Sequence, residues 1–141
     1  MPAPQFRETF YAGMGASHVY KTGTASATAA SVLAAVTGKQ YRLKSYIFFM
    51  AADLTGAGAT DAALQAAWLA DGTTEILGLG MLSGVDGTTV IADATRLTYS
   101  SRVITLPSSG VTGTAATAVN IDFTATDARL TYQLDLWYDL I

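Results

Sequence analysis

Cysteine is absent from this chain of 141 residues, and histidine occurs once, at His18. Disulfides, thiolate nucleophiles and sulfur-ligated metal sites are thereby excluded. Ser–His catalysis would rest on His18 alone, in a Gly-rich segment poorly suited to holding a reacting group in fixed geometry. A surface or interface histidine is the plainer account. Charge is equally scarce. Asp, Glu, Lys and Arg make up 13% of the chain, against roughly 25% in an average soluble protein. The net charge is −3, and the basic residues are scattered, with Arg42 and Lys44 the only close pair. Such a field attracts neither nucleic acid nor an anionic membrane.

Long apolar runs are missing too. No stretch approaches the roughly 20 residues that a helix needs to cross a bilayer. Residues 1–8 lack the basic start and apolar run of a signal peptide, so a soluble product made in a cytoplasm is expected. No D-x-[DN]-x-[DN]-G loop is present to hold calcium. The acidic residues mostly neighbour Gly or Thr, where Asp closes turns. A glycosidase pair would meet only in space. The expectation is a non-enzymatic protein with no cofactor and no metal.

What fills the composition is small and apolar. Half of the chain is hydrophobic, and Ala, Thr, Gly and Ser take the place of charge. A chain with so little surface charge is expected to cover part of its exterior with partner subunits.

The strongest pattern lies at the end of the chain. Leu130, Tyr132, Leu134, Leu136, Tyr138 and Leu140 alternate with Arg129, Thr131, Gln133, Asp135 and Asp139. A period of two places the even side chains on one face of a strand. That face needs a second sheet against it. Trp137 interrupts the polar face and is an expected interface anchor. Val119, Ile121 and Phe123 alternate in the same way, and a short hairpin at Thr126-Asp127 is expected to pair them with the closing strand. A pairing with Tyr41–Phe49, by sheet or intersheet contact, is the other expectation.

Residues 1–20 read as an extended N-terminal arm, with Pro2 and Pro4 resisting regular structure and Phe6, Phe10, Tyr11 and Tyr20 in need of burial. Residues 21–141 form the single remaining domain. Lys21–Ala30 reads as a loop, and Ser31–Val36 as an apolar strand closed by a turn at Thr37-Gly38-Lys39. In Gln40–Met50, unbroken alternation puts Tyr41, Leu43, Ile47 and Phe49 on one face. Arg42, Lys44, Tyr46, Phe48 and Met50 take the other, with Phe48 a candidate for an interface. Asp61–Gly72 fits either an N-capped helix or a strand. Asp71-Gly72 as a hairpin turn before Thr73–Leu77 favours the strand.

Gly78-Leu79-Gly80-Met81-Leu82-Ser83-Gly84 is a glycine run of the wrong spacing for a dinucleotide loop and lacks a βαβ setting. Trp68, Trp137 and the tyrosines could stack on a sugar, although packing between sheets or subunits is the commoner use of such rings. Short strands separated by turn signals, with no long amphipathic helix, indicate an all-β, antiparallel β-sandwich or jelly roll.

At Ser31-Val-Leu-Ala-Ala-Val-Thr-Gly-Lys-Gln-Tyr-Arg-Leu-Lys-Ser-Tyr46 the chain resembles a family of small tailed-bacteriophage virion proteins, which share a "V-L-A-A-V-x-G-K" strand, a turn and an "R-(apolar)-x-S-Y" strand. Asp71-Gly-Thr-Thr is similar to that family's hairpin turn, and the strand pair at 119–124 and 129–138 to its final pair. The resemblance spans residues 25–138 loosely. Residues 51–63 and 83–95 are longer than the family's loops, and the aromatic arm lies outside the shared pattern. The resemblance implies a jelly roll, a homotrimer and a place on the capsid surface of the virion. There the protein would bind the major capsid protein as a decoration (cement) protein. Tail, baseplate and head-fibre components share this fold, and a carbohydrate- or receptor-binding module is a further alternative. The residues expected at interfaces are Phe6, Phe10, Tyr11, Tyr20, Phe48 and Trp137.

Overall fold

Alternating apolar residues at two-residue spacing dominate the chain, and strands are what result. A computed structural model describes residues 17–25, 29–53, 64–83, 96–107, 109–124 and 127–141. Every regular element among them is a strand: β1 (Ser17–Ala25), β2 (Ala30–Leu33), β3 (Tyr41–Asp53), β4 (Leu64–Asp71), β5 (Thr74–Ser83), β6 (Arg96–Ser100), β7 (Ile104–Thr105), β8 (Val111–Thr112), β9 (Val119–Phe123) and β10 (Asp127–Leu140). They build two antiparallel sheets packed as a sandwich. The first has the order β1-β10-β3-β6, with β7 and β8 continuing along the same edge of β3, and the second has the order β2-β9-β4-β5.

Pairing partners count inward from the two ends of the chain. β1 pairs with β10, β2 with β9, β3 with the β6–β8 run, and β4 with β5. The chain thus behaves as one long folded ribbon. Wrapping that ribbon adds the β3–β10 and β4–β9 ladders.

Within the region 61–72, Leu64–Asp71 is strand, and β4 turns into β5 at Gly72-Thr73 with Asp71 opposite Thr74. Gly72 has φ +63°. This left-handed value at the first central position of a two-residue hairpin is one that glycine adopts without strain. Thr37-Gly38-Lys39 also turns as expected, with the Lys39 N–H donating to the Val36 carbonyl at 3.1 Å.

Leu130, Tyr132, Leu134 and Leu136 of β10 are buried against Val119, Ile121 and Phe123 of β9 and Leu69 of β4. Each such side chain contributes roughly 1.5–3 kcal/mol on burial. A ladder of rings crosses this core. Phe123 lies 5.3 Å from Tyr132, Tyr132 6.4 Å from Phe48, and Phe48 6.2 Å from Tyr99.

Three expectations are corrected. First, β9 is not the hairpin neighbour of β10. The link between them crosses from one sheet to the other, because packing the two one-sided strands face to face buries both apolar faces at once. The sheet partners of β10 are β1 and β3. Second, residues 17–20 belong to β1, not to an arm, and the strand runs on through Ala25 where a loop was expected. Small residues there fit an edge strand. At Gly23, an added Cβ would sit 3.2 Å from the ring of Tyr132, so glycine leaves room for that ring.

Third, the two faces of β3 change over within the strand. Trp137 is opposite Ser45 and Tyr138 opposite Leu43, which leaves Lys44 as an extra residue in a bulge. Tyr41 and Leu43 point inward before it; Tyr46, Phe48, Met50 and Ala52 do so after it.

Candidate interaction surfaces

The outer face of the first sheet is built by the registers of β1, β10 and β3. Four rows of three side chains cross it: His18–Trp137–Ser45, Tyr20–Asp135–Ile47, Thr22–Gln133–Phe49 and Thr24–Thr131–Ala51. Tyr20 is 53% exposed, while Trp137, Ile47 and Phe49 are partly so. Asp135 is the one carboxylate in these rows. The ring Nε2 of His18 lies 2.8 Å from its Oδ1, with side-chain exposures of 42% for His18 and 33% for Asp135. The imidazole also packs against the Trp137 indole, with ring centroids 4.7 Å apart. These four rows thus set Trp137, Tyr20, Ile47 and Phe49 among Thr, Ser and Gln side chains, with their one acid held by a neighbour. An exposed pair of this kind contributes at most about 1 kcal/mol to stability.

Of the residues expected at interfaces, Tyr20 and Trp137 come together here, on adjacent strands and one face. Phe48 does not join them. Its exposure is 0%, and it sits in the intersheet core, because the bulge at Lys44 reverses the faces of β3. Ile47 and Phe49 take the outward positions, which unbroken alternation had assigned to Phe48 and its neighbours. Phe6, Phe10 and Tyr11 lie outside the described residues.

A second feature lies beside β5. A groove of about 380 Å³ is lined by Trp68 of β4, Tyr99 of β6, and Glu75, Gly78, Gly80 and Met81 of β5. The glycines are explained by what comes close to them. A Cβ on Gly80 would lie 2.3 Å from the Tyr99 ring. The Tyr46 hydroxyl donates to the Gly78 carbonyl at 3.4 Å. Gly78 and Gly80 of the glycine run are therefore strand backbone where tyrosines of the other sheet seat. Trp68 was visible in the sequence as a ring in search of a partner. Tyr99, Glu75 and Met81 were not, since only the sheet-to-sheet contact at the sandwich edge brings them to it.

Among the described residues no group of three His, Asp or Glu side chains is placed to hold a metal ion. Compared with protein-family models, with curated proteins and with solved structures, the chain matches none.

Proposed function

We propose that this protein is a non-enzymatic structural component of a phage virion. In the most specific form of the reading it is a decoration protein that binds the major capsid protein on the outside of the head, as a homotrimer. The observation that carries the proposal is the outer face of the β1-β10-β3 sheet. It carries Tyr20, Trp137, Ile47 and Phe49 in a chain of unusually low charge, and a lone domain gains nothing from exposing such a face. Covering it with further copies of the chain buries those side chains. Contacts that bridge capsid subunits then have to break before the shell opens, which stabilises the closed state.

The inward-counting strand pairs support the jelly-roll form of the sandwich, the form in which a ribbon of paired strands is wound into two four-stranded sheets. The resemblance at residues 31–46 supports the virion setting, and it applies equally to tail, baseplate and head-fibre components. Co-sedimentation of the purified protein with expanded heads lacking it tests the decoration role. Saturable binding is the expected result, and no binding to heads would move the protein to another part of the particle or out of it.

A further inference from the structure

The strands of the two sheets differ in charge. β2, β4, β5 and β9 carry Asp71, Glu75 and Asp122 and not one Lys or Arg. The basic residues in strands, Lys21, Arg42, Lys44, Arg96 and Arg129, all belong to β1, β3, β6 and β10. The groove beside β5 opens on the acidic sheet. Glu75 is exposed at its rim and forms no ion pair with a described residue. Asp122 stands opposite Trp68 on the neighbouring strand and shares its outward face. Asp71, by contrast, is engaged, accepting the Thr114 N–H at 2.7 Å.

We infer that this groove receives a basic side chain of a protein partner, arginine in preference to lysine. The electron-rich ring faces of Trp68 and Tyr99 attract a cation, and a guanidinium is planar and weakly hydrated enough to stack on them. Glu75 supplies the counter-charge. Met81, 53% exposed at the rim, offers a surface for the aliphatic stem of such a side chain. A saccharide fits the lining less well. It would bring several hydroxyls to a groove whose one charged or hydrogen-bonding side chain besides the aromatic rings is Glu75, and buried hydroxyls left unpaired cost affinity. The inference concerns the groove alone and does not rest on the virion reading.

The chain has two tryptophans, so the indole N–H region of a proton–nitrogen correlation spectrum holds a reporter in the groove, Trp68, and a control, Trp137. Trp68→Phe assigns them. Titration with N-acetyl-argininamide at low salt is expected to shift the Trp68 signal along a saturable curve and leave Trp137 in place. N-acetyl-citrullinamide, a neutral isostere, is expected to shift it far less. Glu75→Gln is expected to weaken the arginine response by about two- to fivefold, the scale of an exposed cation–ring or ion-pair contact. The inference is overturned by an unmoved Trp68 signal, by equal shifts of both indoles, or by a citrulline response matching that of arginine. A shift given by glucose, galactose or N-acetylglucosamine but not by arginine overturns it as well, and makes the groove a sugar site.

Discussion

The ring of Tyr99 occupies the space that a side chain at Gly80 would need. A Cβ on Gly80 would stand 2.3 Å from Cε1 and 2.7 Å from Cδ1 of that ring. This contact ties the edge of one sheet to the edge of the other, since β6 and β5 belong to different sheets.

Gly80→Ala is therefore expected to destabilise the fold by about 1–3 kcal/mol, the usual cost of overpacking a filled site. Thermal unfolding measures it. In a Tyr99→Ala background the same substitution is expected to cost much less, because the ring that it displaces is gone. Equal costs in both backgrounds would mean that the ring moves aside freely.

Phe48 and Phe49 are adjacent in sequence and opposite in role. Phe48→Ala is expected to cost about 3–5 kcal/mol of stability, as for a large core side chain. Phe49→Ala is expected to cost far less in stability and to act on assembly, since Phe49 lies on the outer face beside Gln133. Chemical denaturation of the two variants, compared with their masses in solution, checks the reversal of faces at the Lys44 bulge.

That reversal shows where the sequence stops being legible. The period-two pattern of β10 and β9 is written in their residues; β9 buries its predicted face, and β10 buries its own from Leu130 to Leu136, with Tyr138 partly buried and Leu140 exposed. The hairpin turn was equally readable to within one residue, expected at Asp71-Gly72 and found at Gly72-Thr73, because a local conformation needs a local residue. A bulge is different: Lys44 is extra only by comparison with β10, so its effect on Phe48 appears when the two strands are in register. The same limit hid the groove. Tyr99 and Gly80 meet through sheet packing, and nothing in the spacing of the glycines announces a ring from another sheet. The link after Phe123 was legible as short, but not as a crossing between sheets.

Buried tyrosines set an alkaline limit on the fold. Desolvation raises the hydroxyl pKa of Tyr132 above the ordinary value of 10.0. It does the same for Tyr46, with a smaller contribution from Tyr99, and for Tyr41, with one from Tyr138. The unfolded chain releases these protons near pH 10 while the folded chain retains them. Their contribution to stability is complete below pH 10 and is lost as the pH climbs from there through the folded-state values. The loss is at most about 1.4 kcal/mol per pH unit for each group. Tyr46→Phe is expected to make the fall in unfolding midpoint above pH 10 shallower while changing little at pH 7, where its hydroxyl makes one long hydrogen bond. An unchanged slope would mean that Tyr46 ionises as easily folded as unfolded.

The proposed role stands on the outer face of the β1-β10-β3 sheet acting as an assembly surface. Light scattering on the eluting protein tests it most directly, comparing wild type with Trp137→Arg. Wild type is expected to elute at about three times the chain mass of 14.7 kDa. The variant is expected to fall to a single chain with an unfolding temperature close to that of wild type, because Trp137 lies outside the intersheet core. A wild-type protein that stays at the mass of one chain at every concentration would contradict the account, as would a Trp137→Arg variant that assembles as wild type does.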